Sequence, residues 1–156
     1  MTRSDAVSVY KEIRNTNVKF IGFKDIGLPL TKLKELHAMM KKDGRTTFLE
    51  VVSASEKDTL QSTKVALELG IDYLIGGTYI DATLPLIKNT KIKYFPYVGK
   101  IVDHPCKLRG SIEEIVNDTK KVNTNTLLSL LTISMLEARS VGFTALSCLR
   151  KSFQRP

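Results

Sequence analysis

The feature that most constrains this chain is an alternation that recurs between residues 18 and 121. A short run rich in β-branched and aromatic residues is followed by a charged, amphipathic segment, and the pair then repeats. The short runs are VKFIGF (18–23), TTFLEVVS (46–53), IDYLIGG (71–77) and IKYFPYVG (92–99). Between them lie LTKLKELHAMMKK, EKDTLQSTKVALEL and DATLPLIKN. The first of these sets Leu30, Leu33, Leu36 and Met40 at helical spacing, with His37 read as a helix-surface residue. Strands separated by helices of this length imply parallel βαβ units, because antiparallel neighbours need only tight turns.

The punctuation agrees. Gly44 and Gly70 fall where helix C-caps are expected, just before the next strand. Ser111 followed by Glu114 has capping-box spacing and opens a further helix, SIEEIVNDTKKV. A helix is also expected near residues 5–14. A repeat of about two dozen residues suits a (β/α)8 barrel or a doubly wound sheet, and a complete barrel takes about 250 residues. No GxGxxG follows the first strand, which argues against a dinucleotide fold. The expectation is an α/β chain forming a partial (β/α)8 TIM-type barrel of about four to five parallel βα units, not closed. Residues 1–122 carry that pattern; 123–156 form a divergent tail, read as helical or disordered.

A formal net charge of +8 suggests a preference for anions, but the basic residues are scattered. Without a dense Lys/Arg block or a basic–aromatic stripe, a phosphorylated metabolite is a better partner than nucleic acid. Cys106 and Cys148 have neither a metal-ligand spacing nor enough company for a disulfide framework, so reduced thiols and a cytoplasmic location are expected. MTRSDAVSVYKEIR lacks the apolar stretch of a signal peptide, and the apolar run 126–136 is too short to span a bilayer. No cofactor and no metal are expected.

At KDIGLP, LEVVS, YLIGGT and YFPYVGKIVDHP the chain resembles a group of bacterial β/α-barrel proteins of the ribulose-phosphate-binding type. More remotely it is similar to the ketodeoxyphosphogluconate aldolases, which also carry a Leu-Glu-Val strand. The resemblance covers roughly residues 1–122. It implies a first strand upstream of Met1, with MTRSDA matching its end, and three further units after Val122, where this chain instead has its discordant tail. In the aldolases the strand glutamate is catalytic, which favours Glu50. Their lysine lies on a later strand and lends nothing to Lys24.

Barrel active sites lie at the C-terminal ends of the strands. That rule selects Lys24 and Asp25, Glu50 and Ser53, Gly77 and Thr78, and Lys100 with His104. By alternation, Phe20, Gly22 and Lys24 share one face of their strand, as do Phe48, Glu50 and Val52 of theirs. Lys24 and Glu50 should therefore meet across neighbouring strands. Either they are functional, with Lys24 stabilising an enolate or forming a Schiff base while Glu50 moves a proton, or they are a satisfied interior ion pair. His104, in a loop expected between strand and helix, is either a general acid or phosphate contact beside Lys100 and Arg109, or a turn residue. Gly77 and Thr78 either bring backbone N–H groups to an oxyanion or form a tight turn, and the N–H groups at Ser111 either bind an anion or are simply capped.

Two functions follow. One is an enzyme of small phosphorylated metabolites, a carbon–carbon lyase or an isomerase. The other is a non-catalytic barrel fragment that self-associates through open sheet edges or binds phosphate.

Overall fold

The computed structural model describes residues 1–53, 55–102 and 107–125. The elements run α1 (Ala6–Ile13), β1 (Phe20–Lys24), α2 (Leu30–Lys42), β2 (Thr46–Val51), α3 (Glu56–Leu69), β3 (Tyr73–Gly76), α4 (Ile80–Ile87), β4 (Lys93–Phe95), β5 (Lys100–Val102), β6 (Lys107–Arg109) and α5 (Ile112–Asn125). The chain divides into two compact regions, residues 1–94 and 95–156.

Each strand-to-helix step is set locally. The Ser55 hydroxyl accepts the Asp58 N–H at 3.1 Å and opens α3, whose first turn also carries Glu56 and Asp58 against the positive end of the helix dipole. Gly70, left-handed at φ 71 and ψ 44, closes it. At the end of α2 the Arg45 N–H reaches back to Met40 O at 3.0 Å, with Gly44 at φ 72 between them. Both glycines thus stop helices where the sequence places the stops.

The sheet has the order β1-β2-β3-β4, and the β1–β2 and β2–β3 pairs are parallel. Alternation divides its faces. Phe23, Thr47, Leu49, Val51 and Leu74 are buried on the helical side, where they pack with Leu33, Leu36 and Met40 of α2 and Ala66 of α3. Phe20, Phe48 and Tyr73 lie on the other face as an aromatic ladder. Phe48 stacks on Tyr73 with centroids 4.7 Å apart and meets the Phe20 ring edge-on at 6.1 Å. Phe20 is 63% exposed, so this ladder is a rim rather than a second core.

Two charged ties fasten α1 to the rest of its region. Asp43, just past α2, accepts from Tyr10 Oη at 2.8 Å and from both Arg14 Nη2 (2.6 Å) and Nε (3.1 Å). Arg45 donates to the carbonyls of Arg14, Thr16 and Val18, gathering the α1–β1 connection. The start of the chain runs along the outer edge of β1. There the Thr2 hydroxyl accepts from Lys24 N and donates to Lys24 O, each at 2.8 Å, and Thr2 N donates to Ile26 O at 2.7 Å.

The second region differs from the sequence reading. The expected strand 92–99 stops at Phe95, because Pro96 has no N–H to extend a ladder. The segment expected to be a strand-to-helix loop instead forms an antiparallel pair, β5 with β6, in which Ile101 faces Leu108. Ser111 and Glu114 then form the expected reciprocal box: Glu114 Oε2 accepts from Ser111 N at 2.6 Å, and Ser111 Oγ accepts from Glu114 N at 3.2 Å. Residues 126–156, including the expected tail helix, lie outside the described residues. Among the described residues no helix is long and apolar enough to cross a membrane.

Candidate functional site

Strand register decides which expected site residues meet. Lys24 stands directly opposite Glu50 in the β1–β2 ladder, on the face away from the helices. Its Nζ lies 3.6 Å from Glu50 Oε2, and the two side chains remain 32% and 24% exposed. The pair is therefore reachable from solvent, and its mutual attraction is screened. A lysine and a carboxylate held side by side at strand ends can bind a carbonyl or an acidic group and move a proton between its atoms.

Asp25, one residue further, turns the other way. Its Oδ1 accepts from Val52 N at 3.2 Å, while Oδ2 accepts from Ser53 Oγ at 2.8 Å and Ser62 Oγ at 2.7 Å. Ser53 and Asp25, both expected to touch substrate, are thus brought together as a tie between the ends of β1 and β2 and the middle of α3. Ser62 escaped the sequence reading, although its signal was present: Thr59, Ser62, Thr63 and Ala66 sit at helical spacing and form the buried stripe of α3.

Gly76 and Gly77 close β3 with φ of 84° and 72°. Gly77 N donates to Val51 O at 3.1 Å, so that N–H is committed to the sheet. Thr78 is exposed beside it. In the second region, Lys100 and Arg109 pair in register at the open ends of β5 and β6, and both are exposed. His104 lies outside the described residues.

His37, read from sequence as a surface residue, is buried. The reason is legible in hindsight: 33, 36, 37 and 40 are the i, i+3, i+4 and i+7 positions of one helix stripe. Its Nε2 lies 3.2 Å from Thr47 Oγ1, which in turn lies 2.9 Å from Asp72 Oδ2. A carboxylate only accepts, so the Thr47 proton points to Asp72, and Thr47 accepts from His37 Nε2–H. Nε2 of His37 therefore carries a proton. Burial, helped by the nearby Lys41 charge, lowers its pKa against the opposing pull of Asp72. Burial pushes Asp72 upward, but the Thr47 N–H, Lys41 and the Thr47 hydroxyl outweigh it and hold the carboxyl below its ordinary value. Asp72 precedes β3, so this network sits at the N-terminal end of the strands, away from Lys24 and Glu50. It is a structural device.

Among the described residues no group of three His, Cys, Asp or Glu side chains is placed to hold a metal. No protein-family model matches this chain, and no curated protein or solved structure matches it significantly.

Proposed function

We propose that the chain is a barrel-type βα array of the cytoplasm that acts on a small phosphorylated carbonyl metabolite, as a lyase of the aldolase kind or an isomerase. The observation that carries this reading is the Lys24–Glu50 pair, in register at the strand ends with Nζ and Oε2 3.6 Å apart and still open to solvent. In β/α barrels active sites lie at this C-terminal end of the parallel strands, and the pair stands there on the face without helices. In this reading Lys24 attacks a substrate carbonyl, losing water to form an imine, and Glu50 carries the proton that the neighbouring carbon gives up. Glycolaldehyde phosphate or pyruvate with borohydride should then add a reduced adduct to Lys24, detected by peptide mass. Absence of any adduct at Lys24, with adducts scattered over surface lysines instead, removes the Schiff-base role.

A second reading is supported by the 63% exposure of Phe20 on a sheet that ends at β1 and β4. Parallel sheets normally have both faces covered, and an edge strand offers unpaired backbone groups to another chain, so a partial barrel of this kind self-associates through its edges without catalysing anything. Solution mass measured across a concentration series separates the two. A monomer that melts sharply and is stabilised by phosphate favours the enzyme; a concentration-dependent oligomer indifferent to phosphate favours the fragment.

A further inference from the structure

All four helices of the first region lie against one side of its sheet. Tyr10, Leu36, Ala66 and Ile87, one from each of α1 to α4, share a buried cluster with Leu49 and Leu74. The opposite face carries Phe20, Phe48 and Tyr73 low on the strands and Lys24 with Glu50 at their ends. Between Phe20 and Lys24, a Cβ on Gly22 would stand 2.8 Å from Phe48 Cβ, so the Phe48 side chain already takes that space. Phe20 remains 63% exposed, although parallel sheets normally have both faces covered.

The edges of this sheet, by contrast, are guarded. Beside β1 the Thr2 hydroxyl engages both Lys24 N and Lys24 O at 2.8 Å, and Thr2 N donates to Ile26 O at 2.7 Å. At the other edge β4 is three residues long and runs into Pro96, which has no N–H to offer. A covering segment, a short strand and a proline are common protections of a sheet edge. The face is also poor in charge within a chain of formal net charge +8. Among its described residues Lys24 and Glu50 cancel, which leaves Lys93, whose Nζ lies over the Tyr73 ring at 5.1 Å.

We infer that this face packs against the same face of a second copy of the chain, about a twofold axis running along the strands. Such an axis keeps the strands of both copies codirectional and reverses their order. Placed between β1 and β2, it sets Phe20 of one copy against Phe48 of the other, and Lys24 against Glu50. The rings fill the gap of about 10 Å that separates packed sheets. At the strand ends four charges then alternate in sign, so the face is its own complement, as a twofold contact requires. A nucleobase finds no flat platform here, because Phe48 stacks on Tyr73 and Lys93 lies over Tyr73. The inference rests on the self-association reading above and moves its contact from the sheet edges to the face.

Sedimentation equilibrium of the full chain over a concentration series tests it, with circular dichroism checking the fold of each variant. A reversible monomer–dimer equilibrium is expected. Phe20→Ala changes a residue already exposed in the monomer and should weaken the dimer about a hundredfold, since each substitution removes two rings from the contact. Lys24→Glu and Glu50→Lys should each weaken it about tenfold by bringing four like charges together. Mixed in equal amounts, those two variants should form a heterodimer about as tight as the parent, because each then faces the opposite charge. A parent that stays monomeric overturns this inference and the self-association reading together. A parent whose association survives Phe20→Ala, with no gain on mixing the charge variants, overturns this face and returns the contact to the edges. Growth beyond the dimer also overturns it, since a twofold face contact closes at two copies.

Discussion

Asp25→Ala separates a structural carboxylate from a ligand contact. The substitution removes the acceptor for Val52 N, Ser53 Oγ and Ser62 Oγ at 3.2, 2.8 and 2.7 Å. Hydrogen bonds to a charged acceptor contribute about 1.5–3 kcal/mol each when shielded from water and less when water can replace the acceptor. Ser53 is only half-buried and can turn to water, whereas Ser62 is 9% exposed and is left short of a partner. One full loss and two discounted ones come to about 2–4 kcal/mol. Lys24→Gln serves as the control. The Lys24–Glu50 pair is 3.6 Å apart and about a quarter to a third exposed, so its loss should cost under about 1 kcal/mol. Urea unfolding of the full chain reads the difference. With a slope of about 2 kcal/mol per molar, Asp25→Ala should lower the midpoint by about 1–2 M at unchanged slope. Faster hydrogen exchange at the Val52 amide should accompany it. If Asp25→Ala proves as stable as the parent, with Val52 equally protected, the three bonds do not carry the tie. If stability holds while ligand binding disappears, Asp25 contacts substrate, as the strand-end rule expects.

Acid should destabilise the chain in two stages. A His whose folded pKa is lowered contributes stability that is fully present above the ordinary imidazole value near 6.5 and is lost as pH falls towards the depressed value. Asp72 and Asp43, both held below the ordinary carboxylate value, contribute stability that is lost only as pH falls past about 4. His37→Gln keeps a donor for Thr47 and should abolish the upper stage alone; an unchanged profile by thermal melting across pH would contradict the assignment. Gly27→Ala should cost about 2–4 kcal/mol, because the residue has φ +108° and a Cβ would stand 2.2 Å from Thr2 O. A loss below about 1 kcal/mol in urea would mean that the start of the chain does not hold its place along β1. Ser111→Ala should lower the helicity of α5 and cost about 1 kcal/mol, readable by circular dichroism during the same melts.

The sequence alone determined the parts of this protein that depend on neighbours along the chain. Period-2 and period-3.6 patterns gave β1 through β3 and α1 through α4, because burial on one face imposes those periods directly. Gly70 as a helix stop and the Ser111–Glu114 box are equally local, each a bond between residues no more than four apart. Alternation also placed Lys24 and Glu50 on one face, since side chains two apart on a strand must share it.

Tertiary structure decided what depends on contacts across the chain. The Asp25 tie spans 37 residues to Ser62, and no spacing rule couples a strand-end carboxylate to a hydroxyl on a later helix. Helical spacing sets His37 on the inward stripe of α2, but only the packing of β2 supplies Thr47, ten residues away, as the partner of the buried imidazole. Tyr94 reads in sequence as an ordinary strand aromatic; only the packing of β4 against the β3–α4 turn leaves its hydroxyl buried and without a partner among the described residues. The β5–β6 pair arose where Pro96 ended a strand early and freed the following residues to bond with each other. Local pattern therefore determines which face a side chain takes, but a polar group's partner depends on the elements that pack against that face.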